Sequence, residues 1–174
     1  YAFDKCLAFK GSIVIPEGVT SIGQYAFEKC SGMDGTLSLP SGLETIGNYA
    51  FSECSKLTGG ITLPDTLTQL GTYTFNKCSN INGELVLSKN LKNIPQAAFS
   101  NCSSMIGSVD IPEGVQKINA NAFQGCSSLN GTLTIPETVD TIGAYAFDQC
   151  SLLTGTLTIP GKVTNVSNYA FDAC

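Results

Sequence analysis

The sequence predicts a mainly β repeat solenoid, a stack of 24-residue coils built from short parallel strands and turn segments. Three observations predict it. The eight cysteines recur at one fixed interval without exception, from Cys6 through Cys30, Cys54, Cys78, Cys102, Cys126 and Cys150 to Cys174. A glycine keeps the same period at Gly11, Gly35, Gly59, Gly83, Gly107, Gly131 and Gly155. Between these markers each repeat carries aliphatic residues two apart, followed by proline.

Counting each coil from its glycine as position 0 divides the chain into a partial coil, 1–10, and coils A (11–34), B (35–58), C (59–82), D (83–106), E (107–130) and F (131–154), with an incomplete coil G (155–174). All of it reads as one solenoid and as a window from a longer array. Positions 2 and 4 are always aliphatic, as in Ile13 and Ile15 or Leu133 and Ile135, and positions 1 and 3 are mostly Ser or Thr. Alternation over so short a run predicts a half-buried strand. Proline at position 5 ends the strand because it cannot donate to a ladder; Ser88 is the exception. Apolar residues return at position 8 (Val19, Leu43) and position 11 (Ile22, Ile46), where a second, shorter strand is expected. The Tyr-Ala-Phe-x-x-Cys segment then spaces Phe and Cys by three, which suits one turn of 3₁₀ or α geometry.

Glycine at position 0 of every coil requires either positive φ or the absence of a Cβ. Position 12 is different: Pro95 stands where Gly23 and Gly47 do, and the proline ring locks φ at a negative value, so positive φ is not obligatory there. No coil can bury its apolar face alone, and stacking closes the core between neighbours.

Composition excludes several functions. The chain has no His and no Trp, and all nine of its cations are Lys. A net charge of −5 argues against nucleic acid, whose phosphates need a basic face. No apolar run approaches a membrane span, and no leader-like segment stands at the start. Without His there is no Ser-His-Asp or Cys-His arrangement, and no metal-ligand spacing, so no catalytic, cofactor or metal residue is expected. GTLTIPGKV at 155–163 is one residue too long for a phosphate loop and ends in Val163. Stacked Glu113 and Glu137 read as solvated surface.

The cysteine ladder, Cys30, Cys54, Cys78, Cys102, Cys126 and Cys150 above all, leaves buried thiols and pairwise bridges open. In-register stacking points neighbouring Cβ atoms the same way, which favours thiols that act as small hydrophobes. Thr132, Thr134, Thr156 and Thr158 form Thr-x-Thr pairs like those of ice-binding solenoids, but Glu84, Val86 and Asp110 interrupt the array. Tyrosines at 1, 25, 49, 73, 145 and 169 form a rim ladder broken at Ala97 and Asn121. Because the repeat is loosest between 83 and 126, the candidate interaction patch is Glu84, Val86, Lys89, Lys92, Pro95, Asp110, Lys117, Asn119 and Asn121.

The string Cys-Ser-x-Leu…Leu-x-Ile-Pro-x-x-Val-x-x-Ile-Gly-x-Tyr-Ala-Phe-x-x-Cys resembles the BspA-like, treponemal-type leucine-rich repeat over the whole chain. The usual repeat of that family is shorter by a single position, and here the extra residue precedes the strand. The resemblance implies a right-handed leucine-rich-repeat stack. It also implies an extracellular or cell-surface location, and adhesion to a protein ligand or host surface molecule. An end-to-end structural stack is the alternative function, since neither end looks like a polar cap and an uncapped coil exposes core and strand edges.

Overall fold

The computed structural model describes residues 2, 3 and 5–174. The chain winds as a right-handed parallel solenoid with no helix among the described residues. Among the described residues thirteen strands of two residues each lie on two faces. The first face carries β1 (Ile13–Val14), β3 (Leu37–Ser38), β5 (Ile61–Thr62), β7 (Leu85–Val86), β9 (Val109–Asp110) and β11 (Leu133–Thr134). The second carries β2 (Ser21–Ile22), β4 (Thr45–Ile46), β6 (Gln69–Leu70), β8 (Asn93–Ile94), β10 (Lys117–Ile118), β12 (Thr141–Ile142) and β13 (Asn165–Val166). All pairings are parallel and one full repeat apart, as in Ile13 opposite Leu37 and Ile118 opposite Ile142. The second strand is no shorter than the first.

The Tyr-Ala-Phe segment forms a third face, made of turns rather than the single helical turn that the Phe–Cys spacing suits. Alternate amides turn inward and outward. Ala26, Glu28 and Cys30 bond to the carbonyls three residues back, while Tyr25, Phe27 and Lys29 donate to Asn48, Ala50 and Ser52 of the next coil. Position 14 (Tyr25, φ 57°) and position 18 (Lys29, φ 58°) are left-handed, and this recurs in every coil. Positions 14 and 18 donate outward from this conformation and position 16 without it, so the segment rungs with its neighbour as a strand would. This third ladder continues across all the coil interfaces from A to G.

The other two ladders are interrupted, at different places. The first face divides into the pairs β1–β3, β5–β7 and β9–β11, coupling coil A to B, C to D and E to F. The second divides into β2–β4–β6 and β8–β10–β12–β13. Its break falls where Pro95 has no amide to offer coil C; Gly47, Asn119 and Gly143 all donate from the equivalent position.

The first-face breaks reveal a structural period of two coils. Both expected roles of the position-0 glycine occur, in strict alternation. Gly11, Gly59, Gly107 and Gly155 have positive φ, from 79° to 91°. At Gly35, Gly83 and Gly131 a Cβ would lie 2.5 Å from the amide nitrogens of Ser12, Gly60 and Ser108. At the second kind of junction Thr58 pairs with Thr36 and Thr154 with Thr132, two residues ahead of the register that the strands keep. Past these bridges, at Gly59-Gly60 and Gly155-Thr156, the strand register is not taken up again on this face, and β5 does not pair with β3. The side chain at position 23 alternates in step. Asp34, Asn82 and Asn130 accept from the amides of Gly11, Gly59 and Gly107 at 2.7–3.0 Å, whereas Thr58, Ile106 and Thr154 bond through their own amides to Gly35, Gly83 and Gly131.

One core runs the length of the stack. Phe51, Phe75, Phe99, Phe123 and Phe147 are fully buried, stacked at 5.3–5.7 Å between ring centroids. Around them lie the aliphatic residues of positions 2, 4, 8, 11 and 22.

Candidate functional site

The cysteines sit behind the third face and bind coil to coil. Each thiol from Cys30 to Cys174 donates to the phenylalanine carbonyl of the preceding coil, with S···O distances of 2.8–3.3 Å. That carbonyl already accepts its own coil's cysteine amide; Phe75 O takes both Cys78 N and Cys102 Sγ. Among the described residues no disulfide joins neighbouring cysteines. Burial pushes the Cys78 thiol up to about 12 and raises Cys102 and Cys126 strongly. These are inert structural thiols.

The tyrosine ladder runs Tyr25–Tyr49–Tyr73 at 5.1 and 4.8 Å and resumes at Tyr145–Tyr169 at 5.0 Å; Tyr1 lies outside the described residues. Ala97 and Asn121 occupy the interval, and Ala97 is buried.

The candidate patch is distributed over all three faces. Glu84 and Val86 project from β7, and Asp110 from the neighbouring β9, on the first face. Together with Lys89, Ser108 and Pro112 they line a groove of about 440 Å³ between coils D and E. Lys89 is held at its side: its amide meets Asp65 Oδ1 at 3.1 Å and its Nζ meets Oδ2 at 3.2 Å. This pairing lowers the Asp65 carboxyl below its ordinary range. Lys92 and Lys117 are exposed on the second face, beside Pro95. Asn119 there has a structural task, Nδ2 donating to Ile94 O at 2.9 Å. Asn121 is on the third face at φ 61°, bonded to Gln124 Oε1 at 2.7 Å. The groove therefore unites Glu84, Val86, Lys89 and Asp110 and excludes the other five. Sequence reasoning missed Ser108 and Pro112, which follow the repeat pattern and carry no signal of their own.

Among the described residues no group of three or more acidic, Cys or His side chains is placed to hold a metal. Among them, too, no helix is long and apolar enough to cross a membrane. A model of the BspA type leucine rich repeat region matches residues 1–130 and 56–174, in six copies. The chain belongs to the BspA-type leucine-rich repeat family. The crystal structure of the T. pallidum leucine rich repeat protein is similar at TM-score 0.75 and 30% identity, covering 87% of this chain and 71% of that one. A leucine rich cell surface protein from Faecalibacterium prausnitzii is similar at TM-score 0.63 and 27% identity, covering 82% of this chain and 46% of its own. A leucine-rich repeat protein from Eubacterium ventriosum, at 24% identity and TM-score 0.75, shares the fold over 93% of this chain and 42% of its own. The search of curated proteins returned no match. BspA-type leucine-rich repeat proteins generally mediate protein–protein interaction as non-catalytic scaffolds, and in bacteria they are often surface-associated.

Proposed function

We propose that this BspA-type array is a non-catalytic adhesion module that binds a protein ligand or host-surface molecule outside the cell. The observation that carries the reading is the first face. Its outward side chains are short hydroxyls over most of the stack, and of the five departures, Val14, Gly60, Glu84, Val86 and Asp110, the last three converge on one groove. A rigid solenoid presents such a face without ordering cost, which favours binding. With neither Trp nor Arg, the usual anchor residues are few, so affinity per site is modest and is raised by multivalent contact. Peptide panning tests it: random displayed peptides are selected on the immobilised chain, and binders are mapped by amide exchange. Enrichment with protection on a solenoid face supports binding. Enrichment no better than on an unrelated acidic protein sinks it.

A second reading is end-to-end association, favoured by the parallel, in-register pairing of like coils, a geometry that one array can continue into another. Light scattering during gel filtration decides it. A monomer at high concentration removes this reading and leaves the first intact.

A further inference from the structure

We propose that the groove between coils D and E takes an extended, lysine- or arginine-bearing peptide strand, recognised by unpaired main chain as well as by charge. The proposal rests on the protein-binding reading above and specifies its partner.

The main chain comes first. Where first strands pair, position 2 and 4 amides donate across the interface: Ile61 to Glu84 O and Leu63 to Val86 O between C and D, and Val109 to Thr132 O and Ile111 to Thr134 O between E and F. Between D and E the matching bonds, from Leu85 and Leu87 to Ser108 and Asp110, are absent. Leu85 and Leu87 turn their side chains into the core, at 8% and 7% exposed, while both residues line the cleft, so their main chain is what they present to it. The junction therefore offers donors from one strand and acceptors from the next along an open cleft. Such an edge is what an extended peptide satisfies.

Side chains then select the partner. The same backbone opening recurs between B and C and between F and G, but there the outward residues are Thr36, Ser38, Gly60 and Thr62, and Thr132, Thr134, Thr156 and Thr158. Only the D–E opening has a carboxylate on each side, Glu84 and Asp110, with Val86 51% exposed between them. Lys89, the cation that lines the groove, is engaged by Asp65 and leaves these carboxylates for a ligand. A strand alternating basic and aliphatic residues sets its cations against Glu84 and Asp110 and its aliphatic side chains against Val86.

The test uses the whole chain and a short fluorescein-labelled peptide alternating lysine with valine, read by anisotropy, with the glutamate counterpart as comparison. Binding of the lysine peptide should weaken about tenfold in the Glu84→Thr, Asp110→Thr double variant. The Glu17→Gln, Glu44→Gln variant removes the same charge elsewhere and should bind as wild type. Placing Thr132→Glu and Thr158→Asp in the double variant should restore binding at the F–G opening. The proposal is overturned if the lysine peptide fails to bind, if the two double variants weaken it equally, or if the glutamate peptide binds as well. Any of these results, together with successful panning on another face, overturns the basic strand while the protein-binding reading stands.

Discussion

A thiol is a weak donor, yet here each buried cysteine supplies a core carbonyl with its second hydrogen bond. Its removal therefore costs contact area and leaves a lone pair unsatisfied. Cys102→Ala should destabilise the chain by about 2–3 kcal/mol, read as a lower urea midpoint at pH 7. Titration adds a direction. The Cys78 thiol has its ordinary value of 9.0 in the unfolded chain and about 12 in the fold. Its contribution is complete below pH 9 and is lost as pH rises towards 12, because only the unfolded state releases the proton early. The fall of stability between pH 8 and 11 should be shallower in Cys78→Ala than in wild type, measured by urea unfolding. The cysteine period was legible in the sequence as a register mark. The donor role was not, because its acceptor is a carbonyl of the preceding coil, a main-chain group no motif records.

At the scale of the element, the turn face illustrates what side-chain spacing conceals. Phe and Cys three apart fit a helical turn, and the i to i+3 bonds exist, but only every second amide makes one. The others rung across coils, two of every three from left-handed residues at positions 14 and 18, and nothing in tyrosine or lysine announces that conformation. The hints were few: Asn121 at position 14, with φ 61°, and Gly125 and Asn101 at position 18, with φ 71° and 58°. Lys77 occupies the same position at φ 60°, exposed, with a 3.7 Å ion pair to Glu53. An exposed pair of that length contributes little, while a left-handed non-glycine residue costs roughly 1–2 kcal/mol. The greater freedom of glycine in the unfolded chain offsets part of that gain. Lys77→Gly should therefore raise the thermal midpoint slightly, by a few degrees at most, and calorimetry would record it. A lower midpoint would mean that the lysine stem packs on the groove beside Ser55 and Ser79 more than its exposure indicates.

For the whole molecule, the single coil is the sequence repeat but the pair of coils is the structural one. Strands, prolines, core ladder and stacking were all readable from periodicity, since burial in a parallel stack forces like onto like. The pairing had one legible trace, Asp34, Asn82 and Asn130 alternating at position 23 with Thr58, Ile106 and Thr154, and a single-coil consensus averages it away. The D–E groove inherits its opening from this alternation. A deletion series measures the coupling. Removing coil B alone, 35–58, stacks coils A and C and sets two positive-φ glycines, Gly11 and Gly59, together. Removing B and C, 35–82, joins A to D in the native order. The shorter chain should have the higher urea midpoint, opposite to an array of equivalent repeats, in which stability grows with length.

The alternation at position 0 also bears on how such a gene can change length. Unequal recombination between near-identical repeats adds or removes coils without regard to conformation. Where neighbours differ in phase, only steps of an even number leave every junction with a partner of the other kind. An odd step creates one fault, two like coils in contact, which selection must either repair at position 23 or discard. Lineages of this array should accordingly carry their insertions in multiples of two coils, and sequencing of natural length variants would reveal that parity.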